Sequence, residues 1–177
     1  MANLNELIYN WSFALFDLAR NETNLNAIAN EAAKIVKIIK KNKNYLSLLN
    51  SYEINDEDKF NLVNQTFGKF HIYIVNTIKL AIRQHTIKYL ISILNKFVEL
   101  TNEKMNIKYG IIFTTYPLEN KDIKKFEIKL SKKLNADIHL TNEIDEKLIG
   151  GIKIKIDDFL IDNSFFGKLQ KMRKLVN

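Results

Sequence analysis

The 177-residue chain contains no cysteine, one proline and only five glycines. Without thiols there is no disulfide, no thiolate nucleophile and no cysteine-held zinc or redox motif, so the fold must stand on packing alone. Long hydrophobic runs are missing too. Lys, Asn, Asp or Glu interrupts each apolar stretch well short of the roughly 20 residues a membrane span needs. The first residues, Met1 to Ile8, carry Glu6 and no basic group, and lack the charged start and apolar middle of a secretory signal. These absences set the expectation of a soluble, cytoplasmic globular protein. An apolar content of 46% suffices for one large domain or two small ones.

The net charge is +7 and the pI near 9.4, which raises a nucleic-acid reading. The excess is not concentrated in either half. Residues 1–105 hold 13 Lys and Arg against 10 Asp and Glu, and residues 106–177 hold 14 against 10. A chain rich in Lys, Asn and Ile gains such a charge on any surface from coding bias toward A and T. A basic RNA-associated protein therefore stands as the rival reading.

Punctuation is uneven. Gly110, Gly150, Gly151, Gly167 and the single proline, Pro117, follow residue 109, and Gly68 alone precedes it. Glycine and proline mark turns between strands, whereas helices can be linked through Asn, Asp and Ser. The spacing predicts a helical domain over 1–105 and an α/β domain over 106–177. In the first, apolar residues recur three and four apart: Leu7, Trp11, Ala14, Leu15 and Leu18; then Leu25, Ile28, Ala32, Ile35 and Ile39. Asn55 is the expected N-cap of a helix that opens on Asp56, Glu57 and Asp58 and continues through Phe60, Val63 and Phe67. Ile87, Leu90, Ile91, Leu94, Phe97 and Val98 form another face. The stretch from His71 to Ile82 is apolar all round and compatible with strand or helix; helix is predicted, either central in its bundle or with one face given to a partner.

In the second region, period two is read in Ile107, Tyr109, Ile111 and Phe113, in Ile138, Leu140 and Ile144, and in Ile152, Ile154 and Ile156. Between them Ile123, Phe126, Leu130 and Leu134 predict a helix. Asp157 and Asp158 suit a turn, and Ser164 the cap of a last helix with Phe165, Leu169, Met172 and Val176 inward. That helix sets Lys168, Lys171, Arg173 and Lys174 opposite Leu169, Met172 and Leu175, a pattern shared with membrane-surface helices and explained by packing plus the helix dipole.

Signals for chemistry are sparse. His71, His85 and His139 lie far apart, with no spacing that puts two imidazoles on one helical turn, and read as surface or capping residues. Gly68-Lys69 and Gly167-Lys168 lack the earlier glycine of a phosphate loop, and Gly150-Gly151 is not a dinucleotide pattern. Asp157, Asp158 and Asp162 lack the ligand spacing of a calcium loop. No catalytic residue, metal or cofactor is expected.

Two motifs carry a resemblance. Leu148-Ile149-Gly150-Gly151-Ile152, followed by Ile161-Asp162-Asn163-Ser164 and Leu169, resembles the C-terminal signature of the delta subunit of F-type ATP synthases, the oligomycin-sensitivity-conferring protein of mitochondria. Trp11-Ser12-Phe13-Ala14-Leu15-Phe16-Asp17-Leu18-Ala19 is similar to that family's N-terminal motif. The departures are Asp157 at the turn glycine, Asn163 at a second glycine, Phe165-Phe166 for Val-Arg, and Gln84-His85-Thr86 where Asn-Gly-Arg is usual. Asn and Asp tolerate left-handed backbone, so the hairpin is expected to survive.

The resemblance implies a mainly α protein, a six-helix N-terminal bundle plus a small C-terminal α/β domain, acting as a non-catalytic stator connector. Its N-terminal domain would bind the N-terminal helix of an alpha subunit through its first and fifth helices. Its C-terminal domain would bind the b subunits of the peripheral stalk, with one copy per complex and membrane association only through the complex, on the cytoplasmic side. Trp11, Leu15, Ile74, Ile78 and Ile82 are the expected groove residues, and Phe13 is expected to enlarge the same groove.

Overall fold

The structure, a computed structural model, describes residues 4–165. The predicted last helix and its basic residues, from Phe166 onward, lie outside the described residues. The chain is mostly helical with a small four-stranded sheet in its C-terminal part, and divides into two compact units, residues 1–104 and 105–177.

The first unit contains α1 (Leu4–Ala19), α2 (Leu25–Lys41), α3 (Lys43–Asn50), α4 (Asp56–Phe67), α5 (Ile72–Arg83) and α6 (Leu90–Met105), the last entered through one 3₁₀ turn at Ile87–Tyr89. Helix α2 shows why these segments fold. Leu25, Ile28, Ala29, Ala32, Ile35, Val36 and Ile39 fall on one stripe and are all buried. Helix α4 begins at its predicted cap: Asn55 Oδ1 accepts from the Asp58 N–H at 2.8 Å, and Asn55 Nδ2 donates to Asp58 Oδ2 at 2.8 Å. The His71–Ile82 stretch is the helix α5, which sends Ile74, Val75, Ile78, Ala81 and Ile82 into a core shared with Leu15, Ile35, Phe67, Leu90 and Phe97.

The end of α5 answers the question raised by Gln84-His85-Thr86. His85 sits in the left-handed region at φ 53°; its N–H donates to Ile82 O at 3.0 Å and the Thr86 N–H to Ala81 O at 2.9 Å. This double bond pattern is a Schellman cap with histidine where glycine is usual. A left-handed L-residue costs about 1–2 kcal/mol, partly offset in a Gly variant by the freer unfolded chain. His85→Gly is therefore expected to stabilise the unit by about 0.5–1 kcal/mol, read as a higher urea midpoint. A lower midpoint would show that the ring packing of His85 on Tyr52, 5.4 Å between centroids, outweighs the strain.

In the second unit β1 (Ile107–Thr114) lies in the middle of the sheet order β2-β1-β3-β4. It pairs parallel with β2 (Asp137–Ile144) across α7 (Asn120–Leu134), and antiparallel with β3 (Lys153–Ile156), which forms a hairpin with β4 (Phe159–Asp162). Helix α7 packs Ile123, Phe126, Leu130 and Leu134 on the core of Ile112, Ile138, Leu140, Ile154 and Ile156. Asp157 makes the hairpin turn at φ 48°, and Lys108 Nζ reaches its carboxylate at 2.7 Å, so the replaced glycine is tolerated as expected.

The alternation on β1 has the expected period and the opposite phase, while that on β2 keeps its phase and admits one polar residue inward. On β1 the residues facing α7 are Gly110, Ile112 and Thr114; Tyr109 is half exposed and Ile111 and Phe113 half-buried on the opposite face. On β2 the inward partner of Ile138 and Leu140 is Asn142, which bonds Ile112 O, Thr114 Oγ1 and the Leu118 N–H, while Ile144 is exposed.

Gly151 of the C-terminal motif has φ +86°, and a Cβ there would meet Asn163 O at 2.5 Å and Ser164 Cα at 2.8 Å. Gly151→Ala is expected to destabilise this unit by about 2–3 kcal/mol, from left-handed strain and forced displacement together. Faster hydrogen exchange of the Asn163 amide, which donates to Ile152 O at 3.0 Å, is the local readout; unchanged exchange would contradict it.

Candidate functional site

Helices α1 and α5 pack against each other. Within the pair, Leu15, Ile74, Ile78 and Ile82 are each at most 2% exposed, and Trp11 is half-buried against the same core. The five expected groove residues thus come together, four as an inner layer and Trp11 at its edge. The buried face of α1 is turned from the expected stripe. Ser12 is fully buried, its hydroxyl shared between Ile8 O at 2.6 Å and Ile93 O at 2.9 Å, which brings α6 close; Leu18 is 59% exposed.

Spacing along each helix then shows which apolar groups stay at the surface. On α1, Leu7, Trp11, Ala14 and Leu18 follow one another at four, three and four residues and are half-buried or exposed. On α5, Tyr73, Thr77 and Leu80 do the same, with Leu80 48% exposed. Tyr73 ties the start of α5 to the segment after α1: its hydroxyl donates to Glu22 Oε1 at 2.9 Å, and that bond raises its pKa above the ordinary phenol value. The α5 N-terminus is fixed from a second side, where the His71 N–H donates to Glu31 Oε2 at 2.6 Å and His71 Nδ1 accepts from the Tyr73 N–H at 3.4 Å. His71 and His85 are both capping residues, as expected.

Sequence reasoning singles out Phe13 but not the aromatic neighbours that it joins on α1. Tyr9 and Phe13 stack with centroids 5.8 Å apart, Phe16 follows at 6.3 Å from Phe13, and Tyr9 lines a groove with Asn5, Ile8 and Lys96. The available signal was aromatic spacing of four and three residues, lying beside the stripe that was read as apolar.

Among the described residues no group of three or more His, Cys, Asp or Glu could hold a metal ion, and no helix is long and apolar enough to cross a membrane. Asp162 is engaged locally, its Oδ1 accepting from the Ser164 N–H at 2.9 Å and hydroxyl at 2.6 Å.

The fold defines the class: a mostly helical protein with a small mixed sheet in its C-terminal part. The sequence pattern of the family described as ATP synthase delta (OSCP) subunit matches residues 10–176. An ATP synthase subunit delta of Metamycoplasma arthritidis is 50% identical over 176 residues, covering 99% of this chain and 98% of its own. One from Clostridioides difficile is 30% identical over 173 residues, covering 97% and 96%. A chain of the Toxoplasma gondii mitochondrial ATP synthase hexamer, at 12% identity, shares the fold with a TM-score of 0.64 over 96% of this chain and 97% of that one. The chain belongs to the ATP synthase delta (OSCP) subunit family, whose members are a non-catalytic subunit of the complex.

Proposed function

We propose that the chain is the stator connector of an F-type ATP synthase, a subunit that ties the catalytic head to the peripheral stalk so that rotor torque is resisted during proton-coupled ATP synthesis or hydrolysis. The N-terminal unit, as a six-helix bundle, holds the N-terminal helix of one alpha subunit. The C-terminal unit holds the end of the b subunits. One copy serves each complex, on the cytoplasmic side of the membrane, attached to it only through the complex.

The observation that carries this reading is the α1–α5 pair, which keeps an apolar stripe at the surface above a sealed core. Trp11, Ala14 and Leu18 of α1 and Thr77 and Leu80 of α5 stay partly or wholly exposed, and we take them as the docking face. Leu15, Ile74, Ile78 and Ile82 are buried in the core of the unit, where α1 and α5 pack. An amphipathic helix laid into such a groove is an attachment of suitable kind. To survive many turnovers it needs nanomolar affinity, about 12 kcal/mol.

The test is reconstitution. Added to catalytic head stripped of its delta subunit and to separately purified b subunits, the chain is expected to join them into one species on native gels or by mass photometry. Head and stalk that stay apart at micromolar chain would overturn the reading.

A further inference from the structure

Helix α7 concentrates charge that the count over half-chains conceals. Its 15 residues hold six lysines, Lys121, Lys124, Lys125, Lys129, Lys132 and Lys133, against Asp122 and Glu127. Both acids are already engaged. Lys125 Nζ donates to Asp122 Oδ1 at 2.8 Å and holds that carboxyl below its ordinary pKa, while Glu127 Oε1 accepts from the Leu140 N–H at 2.8 Å. Among the described residues Lys124 and Lys132 have no ion-pair partner. The helical period sets Lys121, Lys124, Lys125 and Lys132 on the outer face around Ile128, which is 58% exposed.

Beside this face runs a groove walled by Glu127 and Ser131 with Ile138 at its floor. Strand β2 is an edge strand of the sheet, and an open edge would invite a partner strand. Two of its outward N–H groups are already taken: Ser131 Oγ accepts from the Ile138 N–H at 3.2 Å, and Glu127 takes that of Leu140. A strand added there would have to displace both side chains, which leaves the outer face of α7 as the better surface for a helical occupant. A ring of lysines around one apolar side chain selects an acidic amphipathic helix.

We propose that the outer face of α7 is the surface on which the C-terminal unit receives an acidic amphipathic helix of a b subunit. This rests on the reading of that unit as the stalk-binding one. The stalk attachment is then electrostatic and salt-sensitive, unlike the apolar attachment at α1 and α5.

The experiment titrates the full chain with the soluble domain of the cognate b subunit by calorimetry, at low and high salt. Lys124→Glu with Lys132→Glu is expected to weaken binding about tenfold or more at low salt, the difference shrinking at high salt. Ile128→Ser is expected to weaken it at both. Should the charge-reversed chain lose its native circular dichroism, Lys124→Gln with Lys132→Gln gives the same readout with a smaller change. Wild-type affinity in these variants overturns the α7 face and leaves the stalk reading standing. No binding by the wild-type chain overturns both, and tighter binding to poly(U) RNA than to the b domain overturns the choice of partner.

Discussion

Phe67→Ala is expected to lower the unfolding free energy of the N-terminal unit by about 4 kcal/mol. Phe67 ends α4 with its ring fully buried, edge-on to Tyr45 of α3 at 5.5 Å and to Phe70 at 5.9 Å between centroids. Truncation removes the buried ring, leaves a cavity that close-packed helices fill only in part, and abolishes two edge-to-face contacts worth about 0.5–1.5 kcal/mol each. A domain of this size is stable by only about 5–15 kcal/mol, so a large share of its stability goes. Trp11 is the single tryptophan of the chain and belongs to this unit, so its fluorescence follows the unit even if the two unfold separately. The urea midpoint should fall by more than about 1 M, and Phe67→Leu, which keeps most of the volume, by less than half as much. Equal midpoints for wild type and Phe67→Ala would mean that this ring does not hold α3 and α4 together.

What the sequence made legible follows from how local each signal is. The stripe of α2, the Asn55 cap and the helical face of α7 are set by spacing within a few residues, and were read correctly. Segment His71–Ile82 was harder because its β-branched residues suit a strand; the placement of Ile74, Ile78 and Ile82 four apart on one buried line is what a helix satisfies. The phase of α1 was misjudged because Ser12 is polar yet buried. Its hydroxyl finds carbonyls on its own helix and on α6, a partner 81 residues away that no local pattern reveals. Asn142 is likewise silent in the apolar pattern of β2, since a satisfied amide can occupy an inward position. For the site, the family resemblance points to α1 and α5, and apolar character within them selects Trp11, Leu15, Ile74, Ile78 and Ile82. Apolar character could not separate the line facing the core from the line facing outward, because both are apolar and one residue apart on the helix. The lysine excess of α7 does not show in the net charge of either half-chain, where a fifteen-residue cluster is diluted.

Leu18→Glu combined with Leu80→Glu is expected to weaken binding of a peptide from the cognate alpha-subunit N-terminus by about 100-fold or more. Both side chains are about half exposed in the free chain, so the changes should leave the urea midpoint nearly unmoved, within about 0.5 kcal/mol. Under a docked apolar helix, however, each carboxylate would be cut off from water without a partner, which is costly. Leu15→Ala and Ile78→Ala should act in the opposite way. Each opens a cavity below the surface and destabilises the unit by about 2–5 kcal/mol, weakening the peptide only as far as it unfolds or loosens the α1–α5 pair. Titration of the full chain under conditions where every variant is folded, with Trp11 fluorescence as the signal, separates the two layers. Wild-type affinity in the double variant would move the docking site away from this groove, and the stacked Tyr9 and Phe13 would become the next place to substitute. Loss of affinity in the double variant with stability intact assigns recognition to the outer stripe. The buried isoleucines would then serve to keep α1 and α5 at the separation that the incoming helix requires.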